Sequence, residues 1–204
     1  MKRIFFVRHG ESQWNVVNRM QGQNDIPLTE KGIKQANSIA NRLVNENIDK
    51  IYSSDLKRAY ETALIIGDRL NLDVTKMKEF REMNFGVWEG KTHDEIMAEY
   101  QEQFLYWKKE PENTRIDGAE TLQELQERSM AALNEIISSN KEDSILVVSH
   151  GVTIKVMILG LLGMSLSNYK NLVIENVSLS IVELRDYNRV LKILNDTCHV
   201  KEIC

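Results

Sequence analysis

The sequence predicts an α/β fold: a three-layer α/β/α sandwich with a mostly parallel central sheet, an antiparallel edge near the C-terminus and a small helical cap insertion. Three short strand-like runs, at residues 4–7, 49–53 and 144–148, suit strands buried in such a sheet. Each run is followed along the chain by apolar residues at helical spacing. Two further strand-like runs flank a turn signal near the C-terminus.

The first half of the chain contains two of these strand–helix pairs. After the run at 4–7, Thr29 is placed to cap a helix running towards Asn45. Its apolar positions are Ile33, Ala36, Ile39, Ala40 and Leu43. After the run at 49–53, Ser54 or Asp55 opens the second helix. Its apolar positions are Leu56, Ala59, Ala63, Leu64 and Ile66.

The second half of the chain predicts two more helices and a hairpin. A helix is expected from Glu120 to about Ser139, with apolar residues at Leu122, Leu125, Met130, Leu133 and Ile137. The strand at 144–148 leads into an apolar helix at 152–162. The runs at 177–184 and 190–194 flank Asp186-Tyr187-Asn188, which predicts a hairpin at a sheet edge.

Residues 84–118 do not follow this alternation. Among their acids and lysines they contain the aromatic residues Trp88, Tyr100, Phe104, Tyr106 and Trp107, with Pro111 and Gly118 as breakers. We expect them to form helices and loops inserted over the carboxyl ends of the strands, where ligands bind in open α/β sheets. Because no internal repeat or linker is visible, residues 1–204 are expected to form one domain, with this cap insertion at approximately 84–118.

Composition argues against several classes of partner. A formal net charge of -4 and the lack of a long basic run argue against nucleic acid. The apolar runs at 4–7 and 152–162 are too short for a signal-peptide core and for a spanning helix of about 20 residues, so no membrane partner is expected. The two cysteines indicate a reducing, cytoplasmic setting. Pairing or metal binding by Cys198, His199 and Cys204 is the alternative.

Residues that can carry chemistry lie where the predicted strands end. Arg8-His9-Gly10 follows the first strand, Ser149-His150-Gly151 follows the third, and Arg58 lies in the first turn of the helix after the second. If these strands are neighbours, two imidazoles and two guanidinium groups share one crevice. Such a pocket suits a dianion, of which phosphate is the expected one. Taken alone, Arg8-His9-Gly10 would equally suit a structural histidine beside a surface arginine, and Arg58 would better suit a solvated helix arginine.

These motifs together resemble the histidine phosphatase superfamily, which includes cofactor-dependent phosphoglycerate mutases and related phosphatases. The matching residues are Arg8-His9-Gly10-Glu11-Ser12, Trp14-Asn15, 53–59 (SSDLKRA), Glu82 within 82–90 (EMNFGVWEG) and Ser149-His150-Gly151. They occur in the family's order, and the match extends from Ile4 to about Leu162.

The resemblance implies a catalytic role for five of these residues. His9 would attack phosphorus and form a phosphohistidine. Arg8, Arg58 and His150 would bind the transferring phosphoryl group. Glu82 would protonate the leaving oxygen and then activate the water that hydrolyses the intermediate.

The resemblance also implies a phosphate-binding shell made by Asn15, Gln21, Gly22 and Gly151, together with the catalytic arginines and His150. No metal or cofactor is expected, because the arginines supply the positive charge that Mg²⁺ supplies elsewhere. The partner is therefore expected to be a small-molecule phosphomonoester, while the oligomeric state stays open.

Phosphatases and mutases of the superfamily share the phosphohistidine and differ in what accepts the phosphoryl group. Its mutases carry a longer insertion with an adjacent arginine pair, whereas this chain has Lys108-Lys109 and a lone Arg115. The stretch 82–90 and Gln21 before Gly22 resemble the phosphatase branch. We therefore predict hydrolysis. The alternatives are a phosphoglycerate mutase and, less favoured, a silent phosphoester-binding domain, which should have lost one of the catalytic residues.

The substrate stays open at this point. The aromatic residues and lysines at 100–109 suit either an amphipathic cap that contacts varied substrates or simple packing of the cap onto the core. Candidate substrates are phosphosugars, phosphoserine, phosphoglycerates and the phosphorylated ribazole of cobalamin synthesis. His93 is expected on the cap surface, with a substrate contact as the alternative.

Overall fold

The computed structural model describes residues 1–139 and 143–200. In this part of the chain the strands are β1 (Lys2–Arg8), β2 (Lys50–Ser54), β3 (Val74–Met77), β4 (Ser144–Ser149), β5 (Leu179–Leu184) and β6 (Arg189–Asp196). The α-helices are α1 (Gln13–Val16), α2 (Glu30–Leu43), α3 (Lys57–Leu70), α4 (His93–Glu99), α5 (Gln101–Lys109), α6 (Leu122–Ser139) and α7 (Gly151–Leu162).

The strands form one sheet in the order β3-β2-β4-β1-β5-β6. Neighbouring strands from β3 to β1 are parallel, while β5 runs antiparallel to β1 and β6 antiparallel to β5. This confirms the mostly parallel sheet with an antiparallel edge and the predicted C-terminal hairpin. The sequence analysis missed β3, because a four-residue edge strand with two exposed polar residues has no buried apolar run.

Alternate residues of β1 enter cores on opposite faces of the sheet. Ile4 and Phe6 pack with buried residues of α6 and α7. Phe5 and Val7 pack with buried residues of α2 and α3. Successive side chains of a strand point to opposite faces, so a strand covered on both sides must be apolar throughout. The three-layer α/β/α fold class is therefore confirmed.

Helix boundaries differ from the prediction mainly after β2. α3 begins at Lys57, with Leu56 as an N-cap that makes no side-chain hydrogen bond, rather than at Ser54 or Asp55. Both predicted capping side chains are engaged by distant residues: Ser54 by His150 at 2.8 Å and Asp55 by Arg81 at 2.7 Å. The side chains of Ser54 and Asp55 therefore make tertiary contacts and do not cap α3.

The other helix predictions need smaller corrections. Thr29 caps α2 as predicted, since its hydroxyl accepts a hydrogen bond from the backbone N–H of Gly32 at 3.0 Å. α2 ends at Leu43, before Asn45, and α6 begins at Leu122 rather than Glu120. Ile33 and Leu64 were expected in the core, but they are 46% and 39% exposed.

Residues 84–118 contain α4, α5 and two short 3-10 helices. Their aromatic rings pack against one another: the ring centroid of Trp107 lies 5.9 Å from that of Phe85 and 6.3 Å from that of Trp88. Trp88 in turn contacts Phe104 edge-on at 5.6 Å. These contacts favour the packing interpretation for the aromatic residues. The division into one domain with a cap stays a prediction.

The C-terminal Cys/His group is only partly described. Cys198 is exposed, and Nε2 of His199 lies 2.9 Å from the carbonyl oxygen of Val177. Cys204 lies outside the described residues, so the proposed pairing or metal binding stays untested. Of the helices within 1–139 and 143–200, none has the length and apolarity needed to cross a membrane.

Candidate active site

A cavity of about 360 Å³ lies where β1, β2 and β4 end. Apart from His150, all of the predicted site residues line it: Arg8, His9, Asn15, Gln21, Gly22, Arg58, Glu82 and Gly151. The topology explains the convergence, because β4 lies between β1 and β2 and the three strands run in the same direction.

His9 is held with one ring nitrogen committed to the backbone. Its Nδ1 lies 2.7 Å from the carbonyl oxygen of Gly10, and its own backbone N–H donates to the Ser149 carbonyl at 3.0 Å. Because a carbonyl oxygen only accepts, Nδ1 carries the proton and Nε2 keeps its lone pair. The side chain is almost fully buried. The imidazole is thus oriented with a basic nitrogen available to a ligand.

The electrostatic surroundings keep this imidazole neutral. Burial lowers the pKa of His9 well below its usual value, and the positive charges of Arg58 and Arg8 lower it further. Burial also lowers the pKa of Arg58 to about 10, with Glu82 opposing this, so that guanidinium stays charged at neutral pH. The cavity therefore combines a neutral imidazole with two cations.

His150 lies beneath the cavity wall, next to His9. The two ring centroids are 5.2 Å apart, as expected from the pairing of Arg8 with Ser149 in adjacent strands. Nε2 of His150 lies 2.8 Å from the hydroxyl oxygen of Ser54. Its Nδ1 is buried and has no hydrogen-bond partner among the described residues. Burial, followed by Arg58 and His9, lowers the pKa of His150 well below its usual value.

Arg58 is anchored by the loop that contains Gly22. Its two terminal nitrogens donate to the carbonyl oxygens of Asn24 at 2.7 Å and Gly22 at 2.8 Å. Gly22 has φ of +50°, and a Cβ there would lie 1.8 Å from Oε1 of Glu89. Glycine is therefore required, and its carbonyl helps to orient the guanidinium. Arg8 is held on the other side, by the Ile174 carbonyl at 2.8 Å.

Asn15 and Gln21 are joined through Ser12. The side-chain oxygen of Asn15 accepts from the backbone N–H of Ser12 at 3.0 Å and from the amide of Asn176 at 3.3 Å. The amide NH₂ of Asn15 is thus the end left to serve a ligand. The Ser12 hydroxyl lies 2.8 Å from the side-chain oxygen of Gln21. These contacts orient both amides at the cavity wall.

Glu82 rests on the first turn of α7. Its carboxylate oxygens accept from the backbone N–H groups of Met83 at 2.9 Å, Val152 at 3.2 Å and Thr153 at 3.2 Å. Helix N-termini attract negative charge, which explains this placement. The Glu82 backbone is held as well, because Arg128 donates to its carbonyl at 3.1 Å. The carboxyl group is therefore fixed at the cavity wall, on the side of α7.

The sequence analysis did not predict the rest of the cavity wall. The additional lining residues are Trp14, Asn18, Arg19, Met20, Phe85, His93, Val152, Lys155, Tyr169, Val173 and Ile174. His93 is exposed, as expected for the cap surface, and it also lines the cavity, so a substrate contact stays open. The sequence contained a feature that could have singled out Lys155, because it is the single lysine within an apolar helix. No such feature marks Tyr169, since it comes from a 3-10 helix at Leu166–Asn171.

Two other groups of candidate residues stay away from this site. The cap cations Lys108, Lys109 and Arg115 are not part of the cavity wall. Within the described residues, no group of three or more His, Cys, Asp and Glu side chains is arranged to hold a metal ion.

Comparison with known proteins agrees with this geometry. The sequence pattern of the histidine phosphatase superfamily (branch 1) matches residues 4–197. Phosphoserine phosphatase 1 of Hydrogenobacter thermophilus is 39% identical over 202 residues, covering 99% of this chain and 96% of that protein. A probable phosphoglycerate mutase of Yersinia pestis is 36% identical over 209 residues, covering 98% of this chain and 95% of that protein.

A solved structure supports the same assignment. The mycobacterial glucosyl-3-phosphoglycerate phosphatase superposes with a TM-score of 0.92 at 31% identity, covering 97% of this chain and 100% of that chain. Its similarity extends over the sheet and the helices that surround the cavity described above. With two His-Gly strand ends meeting beside Arg8 and the buried Arg58, the chain belongs to the histidine phosphatase superfamily, branch 1.

Proposed function

We propose that this protein is a metal-independent phosphatase that hydrolyses small phosphomonoesters through a phosphohistidine on His9. The observation that carries the proposal is the neutral His9 ring, whose Nδ1 is tied to Gly10 while Nε2 keeps its lone pair beside Arg8 and Arg58. A neutral imidazole is the nucleophilic form. The two guanidinium groups attract a phosphate dianion and stabilise the charge that moves onto its oxygens.

Three buried donors support the phosphate-binding role. Nε of Arg8, Nε of Arg58 and Nδ1 of His150 have no acceptor among the described residues. Buried N–H groups without an acceptor are uncommon, and a ligand is one of the usual reasons for them. They come from three different elements around His9. We assign them to the oxygens of the transferring phosphoryl group, with Asn15 as a further donor.

The proposed reaction has two steps. Nε2 of His9 attacks phosphorus, the new N–P bond forms as the P–O ester bond breaks, and Glu82 gives its proton to the leaving alkoxide. A water oxygen then attacks the phosphohistidine, the N–P bond breaks, and the Glu82 carboxylate takes the proton from water. Inorganic phosphate leaves. The charges of Arg8 and Arg58 take the part that divalent cations take in many other phosphoryl-transfer enzymes.

Two features favour hydrolysis over transfer back to a substrate. Asn18, His93 and Val173 are exposed where they line the cavity, so water has a route to the phosphohistidine. In a mutase, Lys108, Lys109 or Arg115 would have to take the place of the arginine pair. These three cap cations do not line the cavity. The second candidate function is a phosphoglycerate mutase, which the 36% identity to the Yersinia protein favours.

The test is phosphate release from a panel of phosphomonoesters in excess EDTA, with isomerisation of 3-phosphoglycerate to 2-phosphoglycerate followed in parallel. His9→Ala is the variant, and His199→Ala is the matched control because His199 lies outside the cavity lining. We expect EDTA-resistant hydrolysis that disappears only in His9→Ala. A labelled phosphoenzyme should form in wild type and in the control, and not in His9→Ala.

The other outcomes are equally clear. Isomerisation without phosphate release would replace the phosphatase proposal by the mutase. Loss of activity in EDTA that added divalent metal restores would overturn metal independence. A phosphoenzyme that persists in His9→Ala would remove His9 as the nucleophile.

A further inference from the structure

The ammonium group of Lys155 is a cation on the cavity wall that the proposed chemistry leaves unused. Its Nζ lies 4.4 Å from the centroid of the Tyr169 ring, and no carboxylate among the described residues forms an ion pair with it. Arg19, which also lines the cavity, differs in this respect because it pairs with Glu95 at 3.4 Å. Lys155 is thus a cation aimed at the site without a protein counter-ion.

The geometry of α7 directs this side chain towards the phosphate site. Lys155 follows Gly151 by four residues, so both lie on the same face of the helix. Side chains of a helix tilt towards its N-terminus, which here is the end at the cavity. A Cβ on Gly151 would lie 3.7 Å from Nε of Arg8. Gly151 therefore adjoins Arg8, and its Cα lies about one helical turn, or roughly 6 Å, from that of Lys155.

Burial makes the unpaired ammonium group unfavourable in the absence of a ligand. Lys155 is half-buried, and burial lowers its pKa, with Arg8 lowering it further and Glu82 opposing the shift. An anion placed beside Nζ offsets this loss of solvation. The Tyr169 ring shields one side of the ammonium, which leaves the cavity side for such an anion.

We propose that Lys155 binds a carboxylate of the substrate, so that the preferred substrates are small phosphomonoesters that carry a carboxylate group. This inference rests on the proposed phosphatase function and names the substrate class of the same site. It assigns recognition of the carboxylate to α7 rather than to cations of the 84–118 segment.

The experiment compares 3-phosphoglycerate with glycerol 3-phosphate, which carries a hydroxymethyl group in place of the carboxylate. Phosphate release is measured for wild type, Lys155→Met, Lys155→Arg and the control Lys192→Met. Lys192 lies on the edge strand β6, away from the cavity. In Lys155→Met we expect kcat/KM for 3-phosphoglycerate to fall about tenfold or more, chiefly through KM, and kcat/KM for glycerol 3-phosphate to change less than about twofold.

Lys155→Arg should retain most of the preference, since it keeps the charge, and Lys192→Met should match wild type. The wild-type preference for 3-phosphoglycerate should also shrink with added salt, because an ion pair is screened. Equal losses on both esters in Lys155→Met, or a lower melting temperature with unchanged preference, would assign Lys155 a structural role and overturn the inference. Absence of phosphate release in wild type would instead contradict the proposed phosphatase function.

Discussion

The hydroxyl oxygen of Ser54 lies 2.8 Å from Nε2 of His150, where the adjacent strands β2 and β4 end. The same oxygen accepts from the backbone N–H of Leu56 at 3.3 Å, so its own proton is available for Nε2. When the Ser54 hydroxyl donates to Nε2, the proton of the neutral imidazole lies on Nδ1. We propose that Ser54 in this way sets which nitrogen of His150 donates to a bound phosphoryl group.

Removing this hydroxyl should weaken phosphate binding. In Ser54→Ala the His150 tautomer is no longer specified, and we expect kcat/KM to fall about tenfold, the size of one charge-assisted hydrogen bond. Ser53→Ala is the matched control, because the Ser53 hydroxyl is equally buried and, within the described part of the chain, bonds only to the Ser54 carbonyl at 2.8 Å. Steady-state kinetics and melting curves of both variants make the comparison. Equal loss of activity in both would mean that strand packing, not the tautomer, is responsible.

Glu82→Gln should distinguish esters by their leaving groups. The amide keeps the shape of the side chain but cannot give a proton to the leaving oxygen. We expect kcat for an alkyl phosphate to fall roughly a hundredfold to ten-thousandfold, and kcat for p-nitrophenyl phosphate to fall much less, since nitrophenolate needs little protonation. Glu79→Gln, at an exposed acid nearby, should behave as wild type. Equal losses on both esters would argue against the role of Glu82 as an acid.

Gly22→Ala should damage both the fold and the site. Gly22 and Gly163 both have positive φ, +50° and +66°, so alanine strains the backbone at either position by roughly 1–2 kcal/mol. Of these two positions, Gly22 is the one where the new Cβ would clash with another residue, Glu89. It is also the one whose backbone carbonyl accepts a hydrogen bond from Arg58. We expect Gly163→Ala to lower stability alone. Gly22→Ala should also raise KM; comparable KM values in the two variants would contradict this anchoring of Arg58.

The free energy of unfolding should decrease as the pH is lowered, because His150 is buried in its neutral form. The folded-state pKa is well below 6.5, whereas the unfolded chain binds a proton near pH 6.5. Stability from this group is therefore present above pH 6.5 and is lost as the pH falls below it. Between pH 7.5 and 5.5, in phosphate-free buffer, the unfolding free energy of His150→Gln should fall by on the order of 1 kcal/mol less than that of wild type. Urea titrations at the two pH values measure this, and identical losses would place a proton on folded His150.

The sequence identified the strand ends that form the site because short motifs follow runs of buried apolar residues. Arg8-His9-Gly10 and Ser149-His150-Gly151 each extend a strand whose alternate residues enter two different cores, so the runs are continuous and easy to recognise. The family resemblance added Glu82 and Asn15, which have no distinguishing local pattern. Both line the cavity, although their proposed roles await the experiments above.

Contacts between distant parts of the chain were not visible in the sequence. Ser54 suited a local helix cap, but it bonds His150, 96 residues away, because β2 and β4 lie side by side. Tyr169 reaches the cavity from a 3-10 helix and Ile174 from a loop, and the positions of both depend on packing rather than on periodicity. Lys155 stood out only as a lysine in an apolar helix.

The sequence alone therefore determined most of the order of strands and helices along the chain, with β3 missed, and the chemistry at the strand ends, since hydrophobic periodicity and short motifs are local properties. The tertiary structure alone decided which strands are neighbours. It thereby placed Arg58 on the carbonyls of Gly22 and Asn24, His150 on Ser54, and Lys155 over Tyr169. The physical reason is that such contacts join residues far apart in the chain, and only packing brings them together.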